Sequence, residues 1–260
     1  MKKLILANAV MAAVSTFGAF TTASAADAAA SPHTITGNAG LFTDYRFRGV
    51  SQTQNDISFQ GGFDYAHSSG FYAGVWNSNI GFGNQAGGNG LETDIYGGYT
   101  FPIGPVAADI GLLQYVYSGT NDPLGGPGTS GLDTLEIYGK LGYMGFTLAG
   151  YYSLSDDYFG YNAVSGANPA DLSGSTYVNL AYKYSFNDKL SLTAAVGQTD
   201  FDRPIAAGFD SYVDYSVGLT YNLNGFDLGV AYIASDNDAE KFFGKDPAEG
   251  DVVFSVKKVF

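Results

Sequence analysis

One stretch limits what this chain can become more than any other: Asn38 to Arg48, which reads Asn-Ala-Gly-Leu-Phe-Thr-Asp-Tyr-Arg-Phe-Arg. Successive side chains on an extended strand point to opposite faces. Ala39, Leu41, Thr43, Tyr45 and Phe47 therefore share one side, and Asn38, Gly40, Phe42, Asp44, Arg46 and Arg48 the other. One side is apolar and the other charged. The same period returns at Asp56 to Tyr65, Leu91 to Phe101, Val106 to Ser118, Leu135 to Tyr143, Ser175 to Ser185, Val213 to Tyr221 and Asp251 to Phe260. No helical periodicity supplies a cover for the apolar faces. The question is which solvent those faces meet.

The first residues bear on it. Lys2 and Lys3 precede an apolar run from Leu4 to about Phe20, and Ala23-Ser24-Ala25 supplies a small-x-small cleavage site. Residues 1–25 are thus expected to be a secretory signal peptide and residues 26–260 the exported domain. No other stretch offers the ~20 apolar residues that a spanning helix needs. Removing Lys2 and Lys3 leaves 10 Lys and Arg against 25 Asp and Glu, so the exported chain is strongly acidic and nucleic acid is not an expected partner. Cysteine is absent, which excludes disulfides, thiolate metal sites and a thiol nucleophile. With 36 Gly, 20 Tyr and 19 Phe but only 14% charged residues, the composition suits sheet packed against lipid.

The connections sharpen this. Long Gly-, Asn- or acid-rich segments alternate with minimal ones such as His67 to Gly70, Met144-Gly145 and Asn224-Gly225, the last a strong hairpin-turn dipeptide. A sandwich has no reason to keep every second turn short. An outer-membrane barrel does, with short periplasmic turns and long extracellular loops. Aromatic residues flank the short turns: Tyr65 and Phe71, Tyr99 and Phe101, Tyr143 and Phe146, Tyr184 and Phe186, Tyr221 and Phe226. They are expected to form an interfacial girdle. The expected fold is all-β: a transmembrane antiparallel up-and-down β-barrel of about twelve strands. The facing of Phe71 to Ile80 stays open, because Tyr72 and Trp76 compete with Phe71, Ala73 and Val75 for the outer side.

The final segment alternates Val252, Phe254, Val256 and Phe260 and resembles the closing strand read by the barrel assembly machinery. Lys258 interrupts it and is expected to snorkel to the interface. The segment Gly37 to Thr53, GNAGLFTDYRFRGVSQT, with Gly61-Gly62-Phe63-Asp64-Tyr65, resembles the opening signature of the TorF family of porins. Leu135 to Tyr138, Tyr158 to Gly160 and Tyr212 to Tyr232 are similar to its later blocks, although Gln114 to Gly119 lacks an expected proline. The resemblance implies an outer-membrane barrel and a pore; it carries over no functional residues.

Chemistry is mostly refused. Gly126 to Gly131 has GxGxxG spacing but contains proline and runs into a strand. Asp236 to Glu240 resembles part of a calcium loop without its sixth-position glycine, and reads instead as a solvated acidic loop. A hydrolytic barrel would need a base beside a nucleophile on its outer rim, whereas the only histidines, His33 and His67, fall ahead of the first strand and in a short turn expected to be periplasmic. Neither a cofactor nor a metal site nor an enzyme activity is expected. What remains is an inward set that would line a lumen: Asp44, Arg46, Arg48, Asp64, Glu92, Asp94, Asp109, Glu136, Lys140, Lys183, Asp214 and Asp227. Unpaired charge in a dry interior is costly, so the set must be wet, as in a pore, or mutually paired, as in a plugged barrel. Arg46 and Arg48 read as a positive rung on one strand, against Asp44 and Asp64. The expected function is a porin-like channel of the outer membrane, passing small solutes or ions with weak cation selectivity. The alternative is a non-conducting adhesin or envelope-structural barrel. The expected partners are outer-membrane lipid and the assembly machinery met during export through the periplasm.

Overall fold

A computed structural model describes residues 31–82, 88–119, 131–165, 171–205 and 209–260. The expected signal peptide lies outside these residues, as does all of the Gly126 to Gly131 motif except Gly131.

The alternating segments fold as expected into strands, and each pairs with its chain neighbours. The wall runs through β1 (His33–Phe42), β4 (Ser58–His67), β5 (Phe71–Gly81), β6 (Asn89–Ile103), β7 (Val106–Ser118), β8 (Thr134–Tyr143), β9 (Phe146–Ser153), β10 (Thr176–Ser185), β11 (Leu190–Asp200), β12 (Ser211–Leu223), β13 (Phe226–Ser235) and β14 (Asp251–Val259). Two further pieces, β2 (Arg46–Phe47) and β3 (Val50–Ser51), form a separate ribbon. β1 pairs antiparallel with both β4 and β14, which closes a twelve-strand up-and-down barrel and leaves no free sheet edge. Closure is tight: Gly37 N–H donates to the Phe260 carbonyl at 2.7 Å, Phe260 N–H donates back at 2.9 Å, and the Phe260 ring covers Gly37.

Pleating sends most of the large apolar side chains outward. Ile35, Phe63, Ile95, Ile110, Ile137, Leu148, Leu180, Val217 and Phe254 are all exposed, Ile35 by 74%. So continuous an apolar surface has no place in water. Among the described residues no helix is long and apolar enough to cross a membrane; the strands carry the apolar surface instead. At the short-turn end, Phe71 packs at a tilt against Tyr99 with ring centres 4.7 Å apart, Phe146 likewise against Tyr182 at 4.5 Å, and Tyr184 edge-on against Phe186 at 5.0 Å, while Lys258 lays its ammonium 4.5 Å from the Phe226 ring centre. These contacts place the aromatic residues of the turns on the outer rim, with Lys258 among them.

The buried hydrophobic residues lie on the lumen side of the wall. β5 turns Tyr72, Trp76, Ser78 and Ile80 inward, which decides the facing left open by the sequence: the two bulkiest rings go inside and Phe71 outside. Inward tyrosines lie flat on glycines of neighbouring strands. A Cβ at Gly74 would fall 2.5 Å from the Tyr96 ring, and one at Gly98 2.5 Å from the Tyr72 hydroxyl. Much of the Gly and Tyr abundance is this wall-to-ring packing.

Two expectations are corrected. The opening strand ends at Phe42, not Arg48. Tyr45, expected on the greasy outer face, is fully buried inside, and Phe47 also packs inward, because beyond Phe42 the chain leaves the wall. The acidic segment from Ser235 is not a plain solvated loop. Asp236 caps helix α1 (Asn237–Phe243) by accepting from the backbone of Asp238 and Ala239, and α2 (Lys245–Ala248) follows. Among the described residues no group of His, Cys, Asp and Glu is arranged to hold a metal.

Candidate functional site: the lumen and the loop that crosses it

The connection between β1 and β4 is built around a carboxylate. Asp44 accepts from Arg46 Nε at 2.7 Å, Ser51 Oγ at 2.6 Å and Thr53 Oγ1 at 2.8 Å, which folds β2 and β3 back on each other. The turn between them passes through Arg48 (φ 47°) and Gly49 (φ 85°). Gly49 answers to two demands: positive φ, and a Cβ position only 2.8 Å from Asp214 Cβ and 3.0 Å from the Ala234 carbonyl. Arg48 has no such freedom, so it holds a disfavoured backbone at a cost of roughly 1 kcal/mol.

That turn projects Arg48 across the barrel. Its Nη2 donates to both carboxylate oxygens of Glu136, at 2.9 and 2.8 Å, and its Nη1 donates to the Tyr158 hydroxyl. The guanidinium lies 4.3 Å from the ring centre of Tyr177, 4.7 Å from Phe47 and 5.5 Å from Tyr151. Glu136, Tyr151 and Tyr177 belong to β8, β9 and β10, on the wall opposite β1 in the strand order. On the other side, Arg46 donates to the Glu249 carbonyl at 2.6 Å and to Asn55 Oδ1 at 2.8 Å. Tyr45 packs edge-on against Trp76 and donates to Glu92 Oε1 at 2.7 Å. Burial, then the charges of Glu92 and Asp94, hold the Tyr45 hydroxyl well above its ordinary range, so it remains a donor. The first loop therefore spans the lumen near its long-connection end and is fastened on both sides.

All twelve charged residues singled out in the sequence face the interior, though not as one lining. Asp44, Arg46 and Arg48 sit on the crossing loop and its small β2-β3 ribbon instead of a wall strand, so the positive rung read on β1 does not exist; each arginine is spent on its own carboxylate. Glu92, Asp94 and Glu136 lie beside the loop, fully buried, and both Asp94 oxygens lack a hydrogen-bond donor. Tyr177 donates to Asp214 at 3.2 Å. Towards the short-turn end, Tyr96 donates to Asp64, Tyr72 to Asp109 at 2.7 Å, and Lys140 reaches Asp109 at 3.9 Å from the facing position of the next strand. Lys183 and Asp227 are half-buried near the end itself.

Sequence reasoning missed Lys257. It faces Asp227 directly in the strand register and is surrounded by Asp227, Lys183 and Asp64. The signal was present: with Val252, Phe254 and Val256 outward, Lys257 has the parity of the lumen. Tyr96, Tyr115, Tyr117, Tyr138 and Tyr177 share the inward parity of the carboxylates in the sequence, but their hydroxyls as partners of those carboxylates were not read there.

A family model matches residues 26–260, the whole of the expected exported domain. The chain belongs to the Gcw_chp family, described as bacterial proteins of unknown function. That description does not name the TorF family, which the opening signature resembles. No curated protein sequence matches this Gcw_chp chain. Among solved structures it is similar to KdgM porin, with a TM-score of 0.52 at 7% identity over 86% of this chain and 98% of the other. It is also similar to NanC porin, with a TM-score of 0.51 at 11% identity over 87% and 98%. At such identities the likeness shows a shared fold, the porin-type barrel.

Proposed function

We propose that this chain is an outer-membrane channel of porin type, with the lumen as its path and the first loop as its constriction. The observation that carries this reading is a closed barrel with apolar residues outside and charge inside, crossed by a loop that leaves the wall at Phe42 and is held by Arg48 on Glu136. Two porin-fold neighbours and the TorF-like opening signature support it. In this reading the outer surface contacts outer-membrane lipid after insertion by the assembly machinery, with the short turns periplasmic and the long connections extracellular. The twelve inward residues and Lys257 divide into eight acids and five bases, which favours cations over anions along the path. The solutes are small solutes and ions, and no catalytic step is involved.

A second reading rests on the burial of the loop's charges near the long-connection end, where each arginine is ion-paired. A barrel held shut there would act through its outer surface, as an adhesin or envelope-structural protein. Single-channel recording on refolded protein separates the two. Discrete conductance steps in the parent support the channel. Silence in the parent and also in a variant with residues 46–51 replaced by a short glycine-serine bridge overturns it.

A further inference from the structure

Above the crossing loop, the long-connection end holds a cavity of about 740 Å³, a size that encloses a small organic molecule. Its walls are ring faces and edges drawn from separate segments: Phe82, Tyr117, Tyr161, Phe201, Tyr212 and Phe243. Three acidic residues also border it, Asp246, Glu249 and Asp251. The one basic residue among those lining it is Arg46, and its guanidinium is committed to Asp44, the Gly49 and Glu249 carbonyls and Asn55. An anion entering this space would meet carboxylates and no uncommitted positive group. A neutral molecule would gain the apolar walls but no charge attraction from the acids. A cation with an apolar body would gain both, since ring faces attract positive charge. The neighbouring rings already do this for one cation, the Arg48 guanidinium, which is enclosed by Phe47, Tyr151 and Tyr177 and neutralised by Glu136.

We propose that this aromatic cavity is a binding site for a small organic cation, an ammonium or guanidinium group carried on an apolar body, with Tyr161 and Phe243 as ring walls and Asp246 and Asp251 as counter-charges. Occupancy does not depend on conduction, so the site can exist whether the barrel is an open channel or a closed surface protein.

The test is titration calorimetry on the refolded full barrel in non-ionic detergent, with heats from empty micelles subtracted. The probes are benzyltrimethylammonium, benzyl alcohol and benzenesulfonate. The expected result is saturable 1:1 binding of the ammonium, at least about tenfold tighter than either of the others. Phe243→Leu keeps the apolar volume but removes the ring face; it should weaken the ammonium roughly three- to thirtyfold and leave benzyl alcohol unchanged. Asp251→Asn should weaken it further at low salt and less at high salt. Retention of the heat-modifiable folded band on gels shows that each variant is a barrel. Equal affinity for all three probes, tighter binding of the sulfonate, or an ammonium affinity untouched by Phe243→Leu would each overturn the proposal.

Discussion

Arg48 and Glu136 meet across the lumen, joining a loop that has just left β1 to a strand on the far wall through two hydrogen bonds from a single guanidinium nitrogen, at 2.9 and 2.8 Å. Arg48 is 4% exposed and Glu136 is not exposed at all. Taking away one member of such a pair leaves the other charge buried and alone, at a cost of roughly 3 to 5 kcal/mol, whereas replacing both with apolar groups can be neutral. The cheapest response to a lone charge is release of the loop, since the wall strands are held by their ladders. Arg48→Met and Glu136→Leu should therefore each raise conductance or flicker and expose residues 43–57 to protease. The double variant should return towards the parent. Recordings and digestion patterns in the single variants indistinguishable from the parent would rule out the pair as a latch.

The lipid-facing assignment is tested by neighbours of opposite parity on one strand. Leu180 points outward and is 45% exposed, while Asn179 points inward and donates to the Tyr177 hydroxyl. Leu180→Arg should cost ~2 to 4 kcal/mol of stability in vesicles, and Asn179→Arg much less, because a lumen charge can reach water. Equal losses in urea unfolding from bilayers would contradict the facing of β10.

Strand number and closure were legible because the signal is local and repeated: period-2 faces, short turns flanked by rings, and an even count. The inward charged set was legible for the same reason, parity along a strand. Parity failed where the chain stopped being a strand. Asn38 to Arg48 alternates without a break, and nothing in the pattern marks Phe42 as the last residue in the wall. What ends the strand is Asp44, whose carboxylate gathers Arg46, Ser51 and Thr53, a nearby set that no period-2 pattern marks and that is visible only once the loop is folded. The partner of Arg48 was hidden similarly, since Glu136 is remote in sequence and no local rule couples them. Tyr72 and Trp76 left β5 ambiguous because an amphipathic ring suits either side; the glycines opposite decide, as Gly98 leaves room for Tyr72 to lie against the wall.

The ring-on-glycine packing makes a quantitative prediction. The nearest atoms to a Cβ at Gly74 all belong to the Tyr96 ring, and Tyr96 donates to Asp64. Gly74→Ala pushes the ring away and strips a buried carboxylate of its donor, which should cost about 1 to 3 kcal/mol. In a Tyr96→Ala background the same substitution should be nearly free, giving a coupling energy of similar size in a double-mutant cycle. Additive losses would mean that the ring and the glycine are not in contact.

The last prediction concerns the short-turn mouth, where Asp227 and Lys257 face each other in register between Lys183 and Asp64. Unlike the outer arginines, Lys183 and Asp227 are half-buried, so their charges meet water and any ion that passes. If the lumen conducts, this mixed ring sets part of its selectivity. Lys257→Gln removes a positive charge from the wall and should move the reversal potential in a salt gradient towards the cation limit. Asp227→Asn should move it the opposite way. The double variant restores the balance of charge and should lie near the parent, a result that a purely structural pairing would not produce. The shifts should shrink as salt rises from about 0.1 M to 1 M, since the screening length falls from about 10 Å to 3 Å. Reversal potentials unmoved by either single substitution, in a protein that conducts, would remove this ring from the permeation path.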